Sequence, residues 1–394
     1  MRILFVHEIF GSFGGAESNV LASAYALRRR GHTVGLLAWK PSSRGEPAWH
    51  ELFAGNLFWR SGEPAGLVAR RFGADAVYVH KWSEVAGIES LLKGGVPLVR
   101  MVHDHDMYCL RSYRYNPLNR HICTRPAGMQ CIFPCLAPLQ RNRAGGLPVR
   151  WLSFREKQLE LALSRRFDRN IVATEFMRHE LLINGFEGDR IRVCAPVPTP
   201  ADPLTSSFSD RNLLIYAGQL VRGKGVDVLL RALAKVRARF EVIILGEGGH
   251  RAACERLCNR LGLQDRVTFK GYIPQAELRE YHRDATAVLV PSVWPEPMGL
   301  VGLEAMRNGL PVVAFDAGGV RDWLRDGENG FVAPWMDVEG YAEKIDVLLA
   351  DKELARTMGR RGFERFVRDY DFDRYIGKLE EILEGVALER GKIA

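Results

Sequence analysis

The chain has 394 residues, enough for two or more domains, and two is the simplest division. Apolar residues make up 47% and charged residues 26%, with 19 Phe, 11 Tyr and 8 Trp, which excludes a disordered chain and lets a large core form. No apolar run approaches the roughly 18 residues of a spanning helix, and the opening MRILFV stretch is too short for a secretory leader, so the expected location is cytoplasmic.

The net charge of +8 is unevenly placed. Residues 1–195 hold 27 Lys and Arg against 17 Asp and Glu, whereas the remainder holds 28 against 30. From Met107 to Arg155 there are eight Arg and no acid. Such a stretch suits an anionic partner: a phosphorylated ligand, an acidic glycan, an anionic membrane surface or nucleic acid. A solvated basic face is the plainer alternative. Cys109, Cys123, Cys131 and Cys135 lie in the same stretch. Their spacing lacks the paired CxxC knuckles of a zinc module, so a structural metal site, disulfides and buried thiols all stay open. Cys254 and Cys258, four residues apart, fit one buried helix face.

In chain order, Arg2–Val6 is an apolar strand, His7–Gly15 a loop, and Ala16–Arg30 a helix with Val20, Leu21, Ala24 and Leu27 on one face, capped by Gly31. Strands follow at Thr33–Ala38, Ala76–His80, Pro97–His103, Asn170–Ala173 and Ile191–Cys194, most of them separated by helical patterns, as in a parallel doubly wound sheet. Pro196–Pro203 carries four Pro in eight residues and is the linker. Beyond it the alternation restarts: strand Leu213–Ala217, helix Val226–Ala238, strand Glu241–Leu245, helix Arg251–Leu261, strand Val267–Phe269, helix Gln275–Tyr281, strand Ala287–Val290, helix Gly299–Asn308 and strand Pro311–Phe315. The expected division is 1–197 and 204–371 as two α/β domains that bind ligand in a cleft at the carboxyl ends of their strands, with 372–394 as a last amphipathic helix.

The most informative stretch is Pro295–Gly319, PEPMGLVGLEAMRNGLPVVAFDAGG. Glu296 follows a strand between two prolines, and Gly299 opens a helix. The backbone N–H groups around Met298, Gly299, Leu300 and Val301, with the helix dipole, make an anion site suited to a diphosphate. Glu296 at its mouth suits sugar hydroxyls, and Glu304, two turns further on, suits the two hydroxyls of a ribose. An ordinary helix with one acid near its start and one solvated Glu is the bland alternative.

The E-x7-E pair Glu296 and Glu304, followed by EAM-x-x-G-x-PVVA-x-x-x-GG, resembles the retaining glycosyltransferases of family 4, which have the GT-B fold. Gly14–Glu17 (GGAE), a strand ending in His103-Asp104, and YAGQLVRGKGVDVLLRAL at 216–233 agree in the same order. The resemblance implies two Rossmann-like doubly wound domains facing a cleft, the first for acceptor and the second for a nucleotide-diphosphate sugar, with the terminal helix 372–394 crossing back to the first domain. It implies that Gly14 and Gly15 approach the donor phosphates, that Lys224 clamps the diphosphate, and that His103 sits beside the reacting sugar. Gln219 stands where the family has Arg, and Arg222, three residues on, is the candidate to replace its charge. Gly246-Glu247-Gly248 matches a turn near the nucleotide, and Tyr272 and Ile273 border the base. His103, Glu296 and Lys224 are the expected catalytic residues.

The expected donor is a UDP- or GDP-sugar, with no cofactor and no metal required. Asp104-His105-Asp106 spells DxD, but the pattern recurs at Asp371-Phe372-Asp373 and is read as no metal site. The expected partners are a glycan or lipid-linked acceptor and, through the basic segment 107–155, an anionic membrane surface at the inner face; nucleic acid is not expected. The competing readings are a nucleotide-sugar epimerase of the same architecture, a nucleotide- or nucleic-acid-binding protein without transferase activity, and a redox or zinc module on the four Cys.

Overall fold

The computed structural model describes the chain apart from residues 12–13, 61, 117–118, 142–148, 199–207 and 394, and apart from the side chains of Arg141, Gln275 and Ala276. Most of the Pro196–Pro203 linker, and Arg143 of the basic segment, thus lie outside the described residues. The chain divides into two compact units: Met1–Asn116, Cys123–Pro196 and Asp373–Ala394 form one, and Pro117–Ile122 with Val197–Phe372 form the other.

Among the described residues, the first unit is built on seven parallel strands: β1 Arg2–Val6, β2 Thr33–Ala38, β3 Leu57–Trp59, β4 Ala76–Val79, β5 Leu98–Val102, β6 Arg169–Val172 and β7 Ile191–Val193. Their spatial order is β3-β2-β1-β4-β5-β6-β7. These strands read as continuous apolar runs because helices cover both faces of a parallel sheet; Ile3, Leu4, Phe5 and Val6 are all fully buried. Leu4, Val6, Val77 and Val79 pack with Val68, Phe72, Ile88 and Leu91 of the helices Ala65–Phe72 and Val85–Lys93. Arg100 breaks the apolar run of β5, and its guanidinium is buried. Ser164 Oγ at 2.6 Å, the Trp82 carbonyl at 2.8 Å and Glu160 at 3.4 Å satisfy it, which pins the helix Phe154–Ser164 to the sheet.

The last helix, Phe372–Glu389, belongs to this unit from Asp373 onward. Tyr375, Ile376, Leu379 and Leu383 are its buried stripe. Asn19 donates to Tyr375 Oη at 2.7 Å in the interior, while Glu380 receives Arg30 at 2.8 Å and His32 at 2.5 Å at the margin.

The second unit repeats the plan with β8 Leu213–Ala217, β9 Glu241–Leu245, β10 Val267–Gly271, β11 Ala287–Val290, β12 Val312–Phe315 and β13 Gly330–Ala333, in the order β10-β9-β8-β11-β12-β13 and all parallel. In each sheet the order reverses once, between β1 and β4 and between β8 and β11. At such a point the flanking loops diverge to opposite faces and leave a crevice at the carboxyl ends of the strands. Both crevices hold the residues of interest below.

Several elements differ from the sequence expectation. The helix beginning at Val226 ends at Leu233 rather than Ala238: the amides of Lys235 and Val236 tighten to Ala232 and Leu233, and those of Arg237 and Ala238 go to the Asp346 carboxylate. Strand β10 runs on to Gly271. Strand β13 escaped detection because it opens on Gly330, where a Cβ would come within 2.2 Å of the Val312 carbonyl oxygen. The helices Val338–Ala350 and Lys352–Asp369 complete the unit. Cys254 and Cys258 are in its core, as their spacing suggests. Among the described residues, no helix is long and apolar enough to cross a membrane.

Candidate active site

In the second unit the site is assembled from the loops after β8 and β11, which are neighbours in the sheet. The β8 loop passes through Gly218 and Gln219 into a tight turn, Arg222–Lys224, and Gly225 then opens the helix Val226–Leu233 in the left-handed region at φ 69°. Only a glycine fits there: a Cβ would lie 1.9 Å from the Pro291 carbonyl oxygen. The amides of Val293 and Trp294 donate to the Gly223 carbonyl at 2.9 and 3.1 Å, so the two loops are stitched backbone to backbone.

That stitching sets Lys224 against Glu296. Lys224 Nζ donates to Glu296 Oε1 at 2.6 Å, Trp294 Nε1 donates to the same oxygen at 2.9 Å, and Ser292 Oγ also donates to it. Lys224 Nζ additionally lies 4.9 Å from the Trp294 ring centroid. Glu296 is only 4% exposed. Burial pushes its carboxyl up, but Lys224, Ser292 and Trp294 together hold it below the ordinary carboxylate range, so it is ionised at neutral pH. All three donors converge on Oε1, and Oε2 accepts none of them.

The helix after Glu296 is Leu300–Arg307, with Gly299 as its cap at φ 84°. Trp323 fixes this helix start: its Nε1 donates to the Met298 carbonyl at 2.5 Å, and its ring fills the space where a Cβ on Gly302 would sit at 2.1 Å. Leu300 and Val301 are half-buried in the first turn, where backbone N–H groups have no intrahelical acceptor, and Glu304 is half-buried one turn later. Gly318 (φ 71°) crosses so close to Glu296 that a Cβ would meet its backbone at 2.5 Å, and Gly319 N donates to the Glu296 carbonyl at 2.7 Å. The two glycines at the end of the PVVA-x-x-x-GG block thus secure the backbone of Glu296.

The turn Gly246-Glu247-Gly248 is stitched to the same loop. Gly218 N donates to the Leu245 carbonyl at 3.0 Å and Leu220 N to the Glu247 carbonyl at 2.8 Å, and Gly246 N donates to the Gly271 carbonyl at 2.7 Å. Glu247 is exposed and held by Arg251. Tyr272 follows Gly271 with 66% exposure, and Ile273 is half-buried. Gln219 and Arg222 are both exposed, and the Gln219 carbonyl accepts from Tyr216 Oη at 2.9 Å. The second unit therefore brings together Gln219, Lys224, Gly246, Glu247, Glu296, Met298 and Gly299.

Gly14, Gly15 and His103 belong to the first unit and gather at its own crevice. Gly14 is the extended cap of the helix Gly15–Arg29. Glu17, in the first turn of that helix, is buried and meets His7 Nε2 at 3.0 Å. Burial pushes the Glu17 carboxyl up, but His7 and the charge of Lys81 keep it low. His7 follows β1, His80 follows β4 and His103 follows β5. His80 Nδ1 lies 2.8 Å from His103 Nε2 with the rings nearly parallel. His80 is 1% exposed and His103 half-buried. Burial, together with the neighbouring rings, holds His80 well below its ordinary value and brings His103 down to about 3. Both are neutral at pH 7.

Asp104 and Asp106 are occupied by a cation of the protein's own. Lys81 Nζ lies 2.5 Å from Asp104 and 3.6 Å from Asp106. Burial opposes every charge here, yet Lys81 holds Asp104 low, while burial and the Asp104 charge lift Asp106. Cys109, Cys123, Cys131 and Cys135 are free thiols. Among the described residues, the one group of three metal-capable side chains within reach of a common ion is His32, Glu380 and Glu384, where Arg30 already holds Glu380.

Sequence reasoning missed Ser292, Trp294 and Trp323, and also His7, Glu17, His80 and Lys81. The signal for the histidines and Lys81 was positional, since each follows a strand that flanks or adjoins the order reversal. The signal for Trp294 was a large aromatic two residues before Glu296 in a Pro-rich loop.

Comparison with known proteins agrees with the two-sheet fold. The family model described as glycosyl transferases group 1 matches residues 204–365, and that described as glycosyltransferase family 4 matches residues 13–196. An uncharacterised glycosyltransferase of Methanocaldococcus jannaschii is 33% identical over 144 residues, 36% of this chain and 37% of its own length. The GDP-mannose-dependent α-(1-6)-phosphatidylinositol monomannoside mannosyltransferase of Mycobacterium tuberculosis is 30% identical over 217 residues, 52% of this chain and 56% of its own length. The matches therefore span about a third to just over half of these relatives. Among solved structures, Anabaena HepE in complex with UDP superposes with a TM-score of 0.72 at 20% identity, covering 98% of this chain and 100% of that one, which is a likeness of fold.

Proposed function

Because the chain belongs to the family 4 glycosyltransferases of GT-B fold, we propose that it moves a sugar from a nucleotide-diphosphate sugar to an acceptor hydroxyl, with retention of anomeric configuration and without a metal. The observation that carries this reading is the Lys224–Glu296 pair beside the capped start of the helix Leu300–Arg307. A cation and first-turn amides together suit a diphosphate, and a buried carboxylate with one oxygen uncommitted suits sugar hydroxyls.

In the proposed reaction the bond from the anomeric carbon to the diphosphate breaks as the bond to the acceptor oxygen forms on the same face. The acceptor's proton passes to the departing phosphate. Lys224, Arg222 and the amides of Gly299, Leu300 and Val301 meet the charge that builds on the leaving group. Glu296 holds the donor sugar, Glu304 the ribose, and Gly246, Glu247, Tyr272 and Ile273 border the nucleotide. Gly14, Gly15 and His103 act from the acceptor-binding first unit, His103 as a neutral hydrogen-bonding group. Lys81 supports the metal-free reading, since its ammonium already pairs with Asp104 and lies 3.6 Å from Asp106. The donor base is uracil or guanine. The Mycobacterium relative's acceptor, a phosphatidylinositol mannoside, favours a lipid-linked acceptor here and a peripheral place on the inner membrane face.

A thermal-shift panel of UDP-, GDP-, ADP- and dTDP-sugars without added metal tests the reading. A donor at about 100 times its Kd adds about 2.7 kcal/mol to stability. The expected result is a shift with a UDP- or GDP-sugar that disappears in Glu304→Ala; no shift with any donor would overturn the assignment.

A further inference from the structure

The acid-free stretch 107–155 is not uniformly a basic surface. Arg114 is buried against Glu180 at 2.5 Å, Arg120 donates to Asp227 at 2.6 Å, and Arg111 donates to the carbonyls of Cys135 and Leu136 at 3.0 and 2.9 Å. Arg111 and Arg114 are thus spent within the first unit, and Arg120 within the second. Arg125, Arg150 and Arg155 are exposed.

The apolar side chains of the same stretch face outward. Met129 is 71% exposed, Phe133 77% and Trp151 66%, and Leu136, Leu139 and Val149 are 43–49% exposed. Their arrangement is ordered. Leu139–Arg141 pairs antiparallel with Val149–Trp151, with Leu139 opposite Trp151 and Arg141 opposite Val149. Positions two apart share a face of such a ribbon, so Leu139, Val149 and Trp151 lie on one side. Gln140, on the other side, turns back to donate to the Leu110 carbonyl. Arg150, paired with Gln140, shares that side and is also exposed, so the ribbon leaves Leu139, Val149 and Trp151 open to solvent on one side and Arg150 on the other. The turns before it extend the same patch, through Phe133 N to the Met129 carbonyl, Leu136 N to Ile132 and Leu139 N to Leu136, each at 3.1 Å.

An exposed apolar patch of this kind, with exposed Arg within four residues of Met129 and of Trp151 in the sequence, is a surface to be covered. We propose that it docks on an anionic lipid bilayer, with Met129, Phe133, Leu136, Leu139, Val149 and Trp151 entering the boundary between headgroups and acyl chains and the exposed Arg125 and Arg155 meeting lipid phosphates. Charge selects this occupant. A second copy in a two-fold contact would set the acid-free patch against itself, Arg facing Arg. Nucleic acid gains little from Met, Leu and Val at the outermost positions, whereas a bilayer takes up both the aliphatic side chains and the cations. The inference does not depend on the transfer chemistry, because its test reads membrane binding directly.

The test is flotation of the full chain with neutral phosphatidylcholine vesicles and with vesicles holding about one-third phosphatidylglycerol, at about 50 mM salt. The chain is expected to float with the anionic vesicles and about tenfold less with the neutral ones. Phe133→Ser with Trp151→Ser should lower the floated fraction by about tenfold, while the melting temperature and the shift given by a nucleotide sugar stay unchanged. Wild type remaining in solution with anionic vesicles, or the double variant floating equally well, would overturn the proposal. So would a dimer in light scattering, or binding to a mixed-sequence oligonucleotide, that the double variant abolishes in a protein that does not float.

Discussion

Lys224 Nζ lies 2.6 Å from Glu296 Oε1, which ties the loop after β8 to the loop after β11 where the strand order of the second sheet reverses. The pair does two things at once. It makes a buried carboxylate tolerable, and it places a cation beside the start of a helix.

Breaking the pair should therefore cost both stability and turnover. Lys224→Met leaves Glu296 buried with only Ser292 and Trp294 to serve it. Because the Lys224 side chain is 21% exposed, the expected loss is about 2–3 kcal/mol, below the full cost of orphaning a buried charge. Turnover should fall by about 100-fold or more, since the charge on the leaving diphosphate is no longer met. Adding Glu296→Gln should restore part of the stability and none of the turnover. Urea melts and nucleoside diphosphate release for the single and double variants measure the two effects separately.

The sheet strands were legible in the sequence because parallel strands covered on both faces must be apolar throughout, and ILFV, AVLV and VVAF say so directly. The E-x7-E block was legible because a charged residue between prolines and a glycine-opened helix are each uncommon. What the sequence hid was convergence. Ser292 and Trp294 donate to the same oxygen as Lys224, which lies some 70 residues earlier in the chain, and no spacing rule foresees that. The His80–His103 contact was hidden for the same reason. Each histidine alone looks like a residue ending a strand, and only the adjacency of β4 and β5 brings the rings together. The turn after the helix Val226–Leu233 is held by Asp346, a tertiary partner over 100 residues away.

Gln219 and Arg222 are both exposed, on either side of the start of the turn Arg222–Lys224. With Arg222 as a second cation for the diphosphate beside Lys224, Arg222→Gln should weaken donor binding by about tenfold at low salt and less at high salt. Gln219→Arg in that background should restore the affinity. Titration of the donor at two ionic strengths checks this; unchanged affinity in Arg222→Gln would leave Lys224 as the sole side-chain cation on the diphosphate.

Two glycines separate backbone strain from close approach. Gly225 and Gly262 have nearly the same φ, 69° and 68°, but a Cβ on Gly225 meets the Pro291 carbonyl oxygen at 1.9 Å and one on Gly262 meets nothing within 4 Å. Gly262→Ala should cost about 1 kcal/mol, the left-handed penalty alone. Gly225→Ala should cost about 2–4 kcal/mol, because the β11 loop must also move. That movement shifts Lys224 away from Glu296, so donor affinity should fall in Gly225→Ala and hold in Gly262→Ala. Equal melting points for the two variants would show that the β11 loop yields freely.

His80 and His103 make the first unit sensitive to acid in a definite direction. Their folded values lie below the ordinary one near 6.5, with His103 at about 3. Between those limits the unfolded chain binds more protons than the folded one, so stability rises with pH. The contribution is complete above about pH 6.5 and is lost as pH falls toward 3, at up to about 1.4 kcal/mol per pH unit for each group. His80 Nε2 is buried without a partner, so the proton shared between the rings is better placed on His80 Nδ1, donating to His103 Nε2. His80→Asn can keep a donor near that position, whereas His80→Leu removes it together with one titrating ring. The stability gap between wild type and His80→Leu should therefore narrow as pH falls from 7 to about 4.5, and His80→Asn should retain more turnover than His80→Leu at pH 7. Urea melts at three pH values and nitrogen-15 spectra of the histidine tautomers check both points. A gap that stays constant with pH would show that His80 does not titrate with folding.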